Sequence, residues 1–142
     1  MADSAKKISI VIPCYNEEEN VRELYHKTKE ILKAKLAEYS YEILFIDNDS
    51  RDRTREHLRE ICSGDARVRA IFNAKNFWQF NSPYYGMCQA AGDCAILVAC
   101  DFQDPLELIP EFVEEWEHGY KIVCGIKTAS RENKAMRFLR TC

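Results

Sequence analysis

Hydrophobic positions in this chain follow two patterns that take turns. Short, nearly unbroken β-branched runs have the character of strands buried on both faces of a parallel sheet. Between them, apolar side chains recur every three or four residues, as on one face of a helix. Ile8 to Pro13 is the first run. Asn16 followed by Glu19 then reads as a capping box, and Val21, Leu24, Tyr25, Thr28, Ile31, Leu32 and Leu36 predict an amphipathic helix. Tyr41 to Ile46 predicts a second strand, and Asp47-Asn48-Asp49-Ser50 a turn and cap for a helix carrying Leu58 and Ile61. Val68 to Phe72 predicts a third strand, and Asn73 to Asn81 is irregular until Ser82-Pro83 opens a helix. Ala95 to Ala99 predicts a fourth strand. Asp104-Pro105-Leu106-Glu107 then starts a helix with Ile109, Phe112, Val113 and Trp116 inward and Gly119 as its stop. Tyr120 to Ile126 predicts a fifth strand. Lys127 to Asn133 is polar, and a helix beginning near Glu132, with Met136 and Leu139 on its apolar face, is cut off at Cys142, which predicts that more chain follows.

This alternation predicts an open, mainly parallel α/β sheet with right-handed crossovers and helices on both faces, formed by one domain over residues 1–142 without linker or repeat. In such a sheet a ligand belongs at the carboxyl ends of the strands.

Composition narrows the class. An apolar share of 46% with 30% charged residues is that of a globular protein, and a net charge of -3 with interspersed signs gives no basic field for nucleic acid. The longest apolar run, Cys94 to Cys100, is far short of a membrane span of roughly 20 residues. The start, MADSAKK, has no signal-peptide core, so a cytoplasmic location is expected, with membrane association only through segments outside this chain. Seven cysteines without a Cys-x-x-Cys speak against zinc and a disulfide framework; Cys94, Cys100 and Cys124, in apolar stretches, read as small hydrophobes in a reducing compartment. His26, His57 and His118 share no spacing and read as surface or helix-end residues.

The strand ends carry the candidate chemistry. A dinucleotide fold needs glycines after its first strand, where the backbone meets the pyrophosphate, but here that turn is Pro13-Cys14-Tyr15-Asn16-Glu17. No Gly-Lys-Ser or Gly-Lys-Thr follows any strand, so a P-loop is excluded too. What stands there instead is an aromatic ring with carboxylates and amides: Tyr15 and Glu17 after strand one, Asp47, Asn48 and Asp49 after strand two, Asp101, Gln103 and Asp104 after strand four. Carboxylates repel a diphosphate unless a divalent cation lies between, which makes the last cluster a candidate Mg²⁺ or Mn²⁺ site. The plainer alternative has Asp104 as a helix cap and Asp101 as a turn residue.

Three segments, ISIVIPCYNEEENV, ILFIDNDSRDRT and GDCAILVACDFQDPLELIPEFVEEWEHGYKIVCGIK, resemble in order and spacing the catalytic domain of family 2 inverting glycosyltransferases of the GT-A fold. The resemblance is to polyprenyl-phosphate sugar transferases, such as dolichyl-phosphate mannose synthases and bactoprenol glucosyltransferases, and covers nearly the whole chain. It implies that Pro13, Tyr15 and Glu17 line the nucleotide pocket, that Asp47 and Asn48 hold the base and ribose, and that Asp101 and Gln103 coordinate the metal bridging the diphosphate. Lys75 is a candidate partner for phosphate oxygens, with a solvated surface lysine as the alternative.

Three positions depart from the family pattern. Ala99 stands where the first acid of Asp-x-Asp is expected, removing one carboxylate from the metal site. Asn48 stands at the second Asp of the strand-two turn and can accept from a uracil N–H without bringing charge. Asn-Phe-Gly becomes Asn76-Phe77-Trp78, where Trp78 either closes the pocket or packs on the sheet. The resemblance implies hexose transfer with inversion from a UDP-sugar, or secondarily a GDP-sugar, to a lipid-phosphate or saccharide acceptor in cell-envelope polysaccharide synthesis. The acceptor's carboxylate base is expected beyond Cys142, so this portion alone is expected to be inactive. Apolar surface left uncovered by such an ending predicts self-association as a homo-oligomer. The alternative, suggested by Ala99, is a non-catalytic nucleotide-sugar-binding or assembly module.

Overall fold

In the computed structural model, residues 5–126 are described. Four strands form one sheet in the order β3-β2-β1-β4: β1 (Lys7–Cys14), β2 (Ser40–Asp47), β3 (Val68–Phe72) and β4 (Cys94–Leu97). Every pairing is parallel, with Ile10 beside Ile43 and Ile96, and Phe45 beside Ala70. The helices are α1 (Val21–Lys35), α2 (Thr54–Gly64), α3 (Trp78–Cys88) and α4 (Ile109–Glu117), the last led by a 3₁₀ turn, Leu106–Leu108.

Side chains alternate across a strand, so the continuous apolar runs of β1 and β2 feed both faces. On one face Ile8, Ile10, Ile12, Ile43 and Phe45 join Leu24 and Leu32 of α1, Leu58 of α2 and Ile109 and Val113 of α4 in the main core. The other face is covered by α3, where Gly86 lies so close to the sheet that a Cβ there would be 3.0 Å from Val11 Cγ1 and 3.2 Å from Ile46 Cγ2. Only a residue without a side chain lets a helix backbone approach this near. Trp116 packs against the rim of the core, its ring 6.4 Å from that of Tyr39 and 5.0 Å from Lys6 Nζ.

Several local expectations are corrected. Asn16 does not cap α1: it sits at φ 56, and its side chain accepts from the Arg51 amide, while Glu17 O takes the Asn20 and Val21 amides that begin the helix. The cap of α2 comes from Asp52, whose Oδ1 accepts from Thr54 N at 3.0 Å, and not from residues 47–50, which do make the turn, with Asp49 at φ 71. α3 begins at Trp78, four residues before the predicted Ser82-Pro83 start, so Pro83 lies inside it. Tertiary bonds to Asn48 hold the chain ahead of Trp78 in place, and local preference at Ser82 yields to them. β4 ends at Leu97, although Val98 N still donates to Val11 O. The 3₁₀ turn before α4 is entered through Pro105, whose backbone is extended.

Residues 120–126 form no strand. Gly119 turns the chain at φ 98, and Ile122 and Ile126 are left 83% and 84% exposed beside a cleft of about 1020 Å³ along β4. A β-prone run becomes a strand only where a neighbour pairs its backbone. The expected helix near Glu132 lies outside the described residues. Among the described cysteines none is disulfide-bonded; Cys100 is buried as expected, Cys94 half-buried and Cys124 exposed. His57 is buried on α2, not at the surface.

Candidate nucleotide-sugar site

Parallel pairing brings the carboxyl ends of β1, β2 and β3 side by side, and the loops leaving them are tied together by side-chain to backbone bonds. Ser50 Oγ accepts from Asn16 N, Thr54 Oγ1 from Glu17 N and Asp52 Oδ2 from Glu18 N, at 2.8 to 3.0 Å. The β1 turn is thus built on the β2–α2 loop. Pro13 is half-buried within β1 beside Ile46. Glu17 is half-buried, and its carboxylate accepts from Asn20 Nδ2 at 2.7 Å.

Asp47 closes β2 completely buried. Its Oδ2 accepts from Arg55 Nε and from Ser50 N, and Arg55 donates onward to the Asn73 carbonyl. Arg55, which the sequence pattern does not single out, is the counter-ion of Asp47. An arginine eight residues after an acid across a turn onto a helix was the only signal for it. Asp47 Oδ1 has no hydrogen-bond partner among the described residues.

Asn48 is the hub of the β3 loop. Its Oδ1 accepts from Phe77 N at 2.8 Å and Asn73 Nδ2 at 3.2 Å, and its Nδ2 donates to Asn76 Oδ1 at 2.9 Å. A uracil N–H would have to share Oδ1 with these donors. Tyr15, 46% exposed, and Asn48 line a cleft of about 410 Å³ together with Asn76, Trp78, Gln79 and Phe80. At the end of β1 Cys14 is buried with its thiol on the Ile46 carbonyl, and burial above all pushes the Cys100 thiol up to about 12. Neither thiol is a nucleophile near neutral pH.

The remaining predicted residues lie apart from that cleft. Lys75 is exposed, its ammonium 5.2 Å from the centre of the Phe77 ring. Asp101 is exposed in the turn after β4, and its Oδ1 accepts from Gln103 N at 3.1 Å. Gln103 itself lines the larger cleft along β4. No cluster of three or more His, Cys, Asp or Glu suited to a metal occurs among the described residues. No described helix is long and apolar enough to cross a membrane.

The parallel sheet with helices on both faces, carrying a polar, aromatic cleft at its carboxyl ends, has the GT-A fold. The fold matches that of a mannosyltransferase from Pyrobaculum calidifontis, solved in complex with GDP-Man and Mn2+, with a TM-score of 0.61 at 15% identity over 75% of this chain and 30% of that one. Residues 9–141 match the family described as Glycosyl transferase family 2, and the chain belongs to that family. It is 39% identical over 120 residues to the uncharacterized glycosyltransferase YkcC of Bacillus subtilis (strain 168), covering 84% of this chain and 36% of that protein. It is 35% identical over 136 residues to the undecaprenyl-phosphate 4-deoxy-4-formamido-L-arabinose transferase of Proteus mirabilis (strain HI4320), covering 95% of this chain and 41% of the relative. The chain therefore spans about two fifths of the length of these curated relatives.

Proposed function

We propose that the chain forms the donor-binding part of a hexosyltransferase that takes its sugar from a UDP-sugar, or secondarily a GDP-sugar. The sugar passes, with inversion at the anomeric carbon, to a lipid-phosphate or saccharide acceptor. The observation that carries this reading is the cleft of Tyr15, Asn48, Asn76 and Trp78 at the carboxyl ends of adjacent parallel strands, in a member of this family. Its rings and amides suit a nucleobase. The lipid-phosphate acceptor is supported by the Proteus relative, an undecaprenyl-phosphate sugar transferase. With such an acceptor the transfer takes place at the cytoplasmic face of a membrane.

Asp101 and Gln103 supply oxygen donors of the kind Mg²⁺ and Mn²⁺ accept, with one Asp101 oxygen already engaged by Gln103 N. One carboxylate and one amide fit a hard cation only when diphosphate oxygens complete its shell. Such an ion would offset negative charge on the departing diphosphate. In this reading Pro13 and Glu17 shape the β1 turn for the nucleotide, Asp47 braces the neighbouring turn through Ser50 and Arg55, and Lys75 pairs with phosphate oxygens.

The test is a thermal-shift comparison of UDP-glucose, GDP-mannose and ADP, each with and without Mn²⁺. Stabilisation by UDP-glucose above ADP, increased by Mn²⁺, is expected. Equal shifts for UDP-glucose and ADP, or none for any nucleotide, would remove the reading.

A further inference from the structure

Trp78 is placed where a tryptophan is costly. Its φ is 68, in the left-handed region that favours glycine and penalises bulky side chains. The residue is 77% exposed, so the strain is not compensated by burial in the core. Yet the backbone there is clamped: Trp78 N donates to Asn76 Oδ1 at 2.7 Å, and Asn48 Nδ2 lies 3.4 Å from the Trp78 carbonyl, which accepts from it. Asn48 Oδ1 holds Phe77 N from the other side. Strain that persists at an exposed, pinned residue beside a cleft points to a role in what the cleft binds.

The lining of that cleft indicates which part of a ligand this is. Tyr15, Trp78 and Phe80 bring rings, and Asn48, Asn76 and Gln79 bring amides. None carries charge, which suits neither a diphosphate nor a cation. A flat, neutral heterocycle with amide-like edges matches both halves of the set, through stacking on the rings and hydrogen bonds to the amides.

Resting on the nucleotide reading above, we propose that Trp78 is a further donor-binding residue whose indole, with the Tyr15 ring in the same cleft, stacks on the nucleobase of the donor. Glycine at this position would relieve the backbone and leave Tyr15 alone to hold the base. Trp78→Gly, Trp78→Phe and Tyr15→Ala separate these roles, measured by calorimetry with UMP, UDP and UDP-glucose and by melting without ligand. Trp78→Gly is expected to melt at or above the parent temperature and to bind UMP roughly tenfold more weakly, the loss of one base–aromatic stack. Trp78→Phe should bind at an intermediate strength. UMP should also quench tryptophan emission in the parent chain and lose that effect in Trp78→Phe, since Trp116 packs against the core rim away from the cleft. A Trp78→Gly protein that melts several degrees lower would make Trp78 structural and overturn the proposal. So would a loss confined to UDP-glucose, which would put the indole on the sugar, or unchanged UMP affinity while Tyr15→Ala weakens it. If the parent chain binds no nucleotide, the functional reading fails and takes this inference with it.

Discussion

Replacing Arg55 by methionine probes the ionic floor under the candidate site. Asp47 has a side chain 0% exposed, while that of Arg55 is 28% exposed. The substitution keeps most of the stem and removes the counter-charge, leaving Ser50 N as the remaining donor to the Asp47 carboxylate. Stripping one partner from a buried pair typically costs 3–5 kcal/mol, because the other charge stays buried without compensation. Partial exposure of Arg55 and the surviving Ser50 bond place the expected loss at the low end, about 3 kcal/mol. For a chain of this size that lowers the melting temperature by roughly 10 °C. The Arg55 bond to the Asn73 carbonyl is lost as well, so the loop that carries Asn76 and Trp78 loses an anchor. Urea denaturation of parent, Arg55→Met, Asp47→Asn and the double variant gives the coupling directly. The double variant should be more stable than Arg55→Met, with a coupling of about 2 kcal/mol. A cost below about 1 kcal/mol for Arg55→Met, with no relief from Asp47→Asn, would refute the view that this pair holds the site's floor.

Three further outcomes are expected. Burial pushes the Glu42 carboxyl up, but the Ser9 hydroxyl, the Ala91 amide, Arg69 and Lys7 outweigh it and hold it below the usual glutamate range. Its stabilisation is therefore complete above the unfolded value of about 4.3 and is lost as pH falls through the lower folded value. Urea midpoints of Glu42→Gln should be lower than the parent's near neutral pH, and the gap should narrow on acidification below that unfolded value; parallel profiles would contradict this. Gly92→Ala should cost about 2 kcal/mol, since its Cβ would lie 2.7 Å from Lys7 O and 2.9 Å from Ser9 N, backbone atoms that cannot swing aside. Gly64→Ala, with nothing within 4 Å, should be neutral or mildly stabilising in a melt, and similar behaviour of the two variants would show that the close approach at Gly92 is not limiting. Asp101→Asn should abolish any enhancement of UDP binding by Mn²⁺ while Asp104→Asn leaves it intact; calorimetry showing the reverse would move the metal site to Asp104.

Strand runs and helix faces were legible in the sequence because burial on both faces demands unbroken apolar residues and burial on one demands a three-to-four repeat. That is why β1, β2, β3 and the inward faces of α1, α2 and α4 fall where the pattern puts them. The turn residues Tyr15, Asp47 and Asn48 were legible too, since strand ends in a parallel sheet must converge. What the sequence could not determine were pairings between residues far apart along the chain. Asn16 and Asp49 look like caps locally, yet Asn16 is spent on Arg51 and Asp49 turns the chain. The start of α3 depends on Asn48, roughly thirty residues upstream of Trp78, and residues 120–126 have strand propensity but no neighbour pairing them among the described residues. Arg55 is an ordinary exposed-helix residue in one dimension and the counter-ion of Asp47 in three. Propensity and periodicity are read along the chain. A buried charge, a strained φ or an unpaired strand edge is decided by groups that meet only once the sheet has brought its strand ends together.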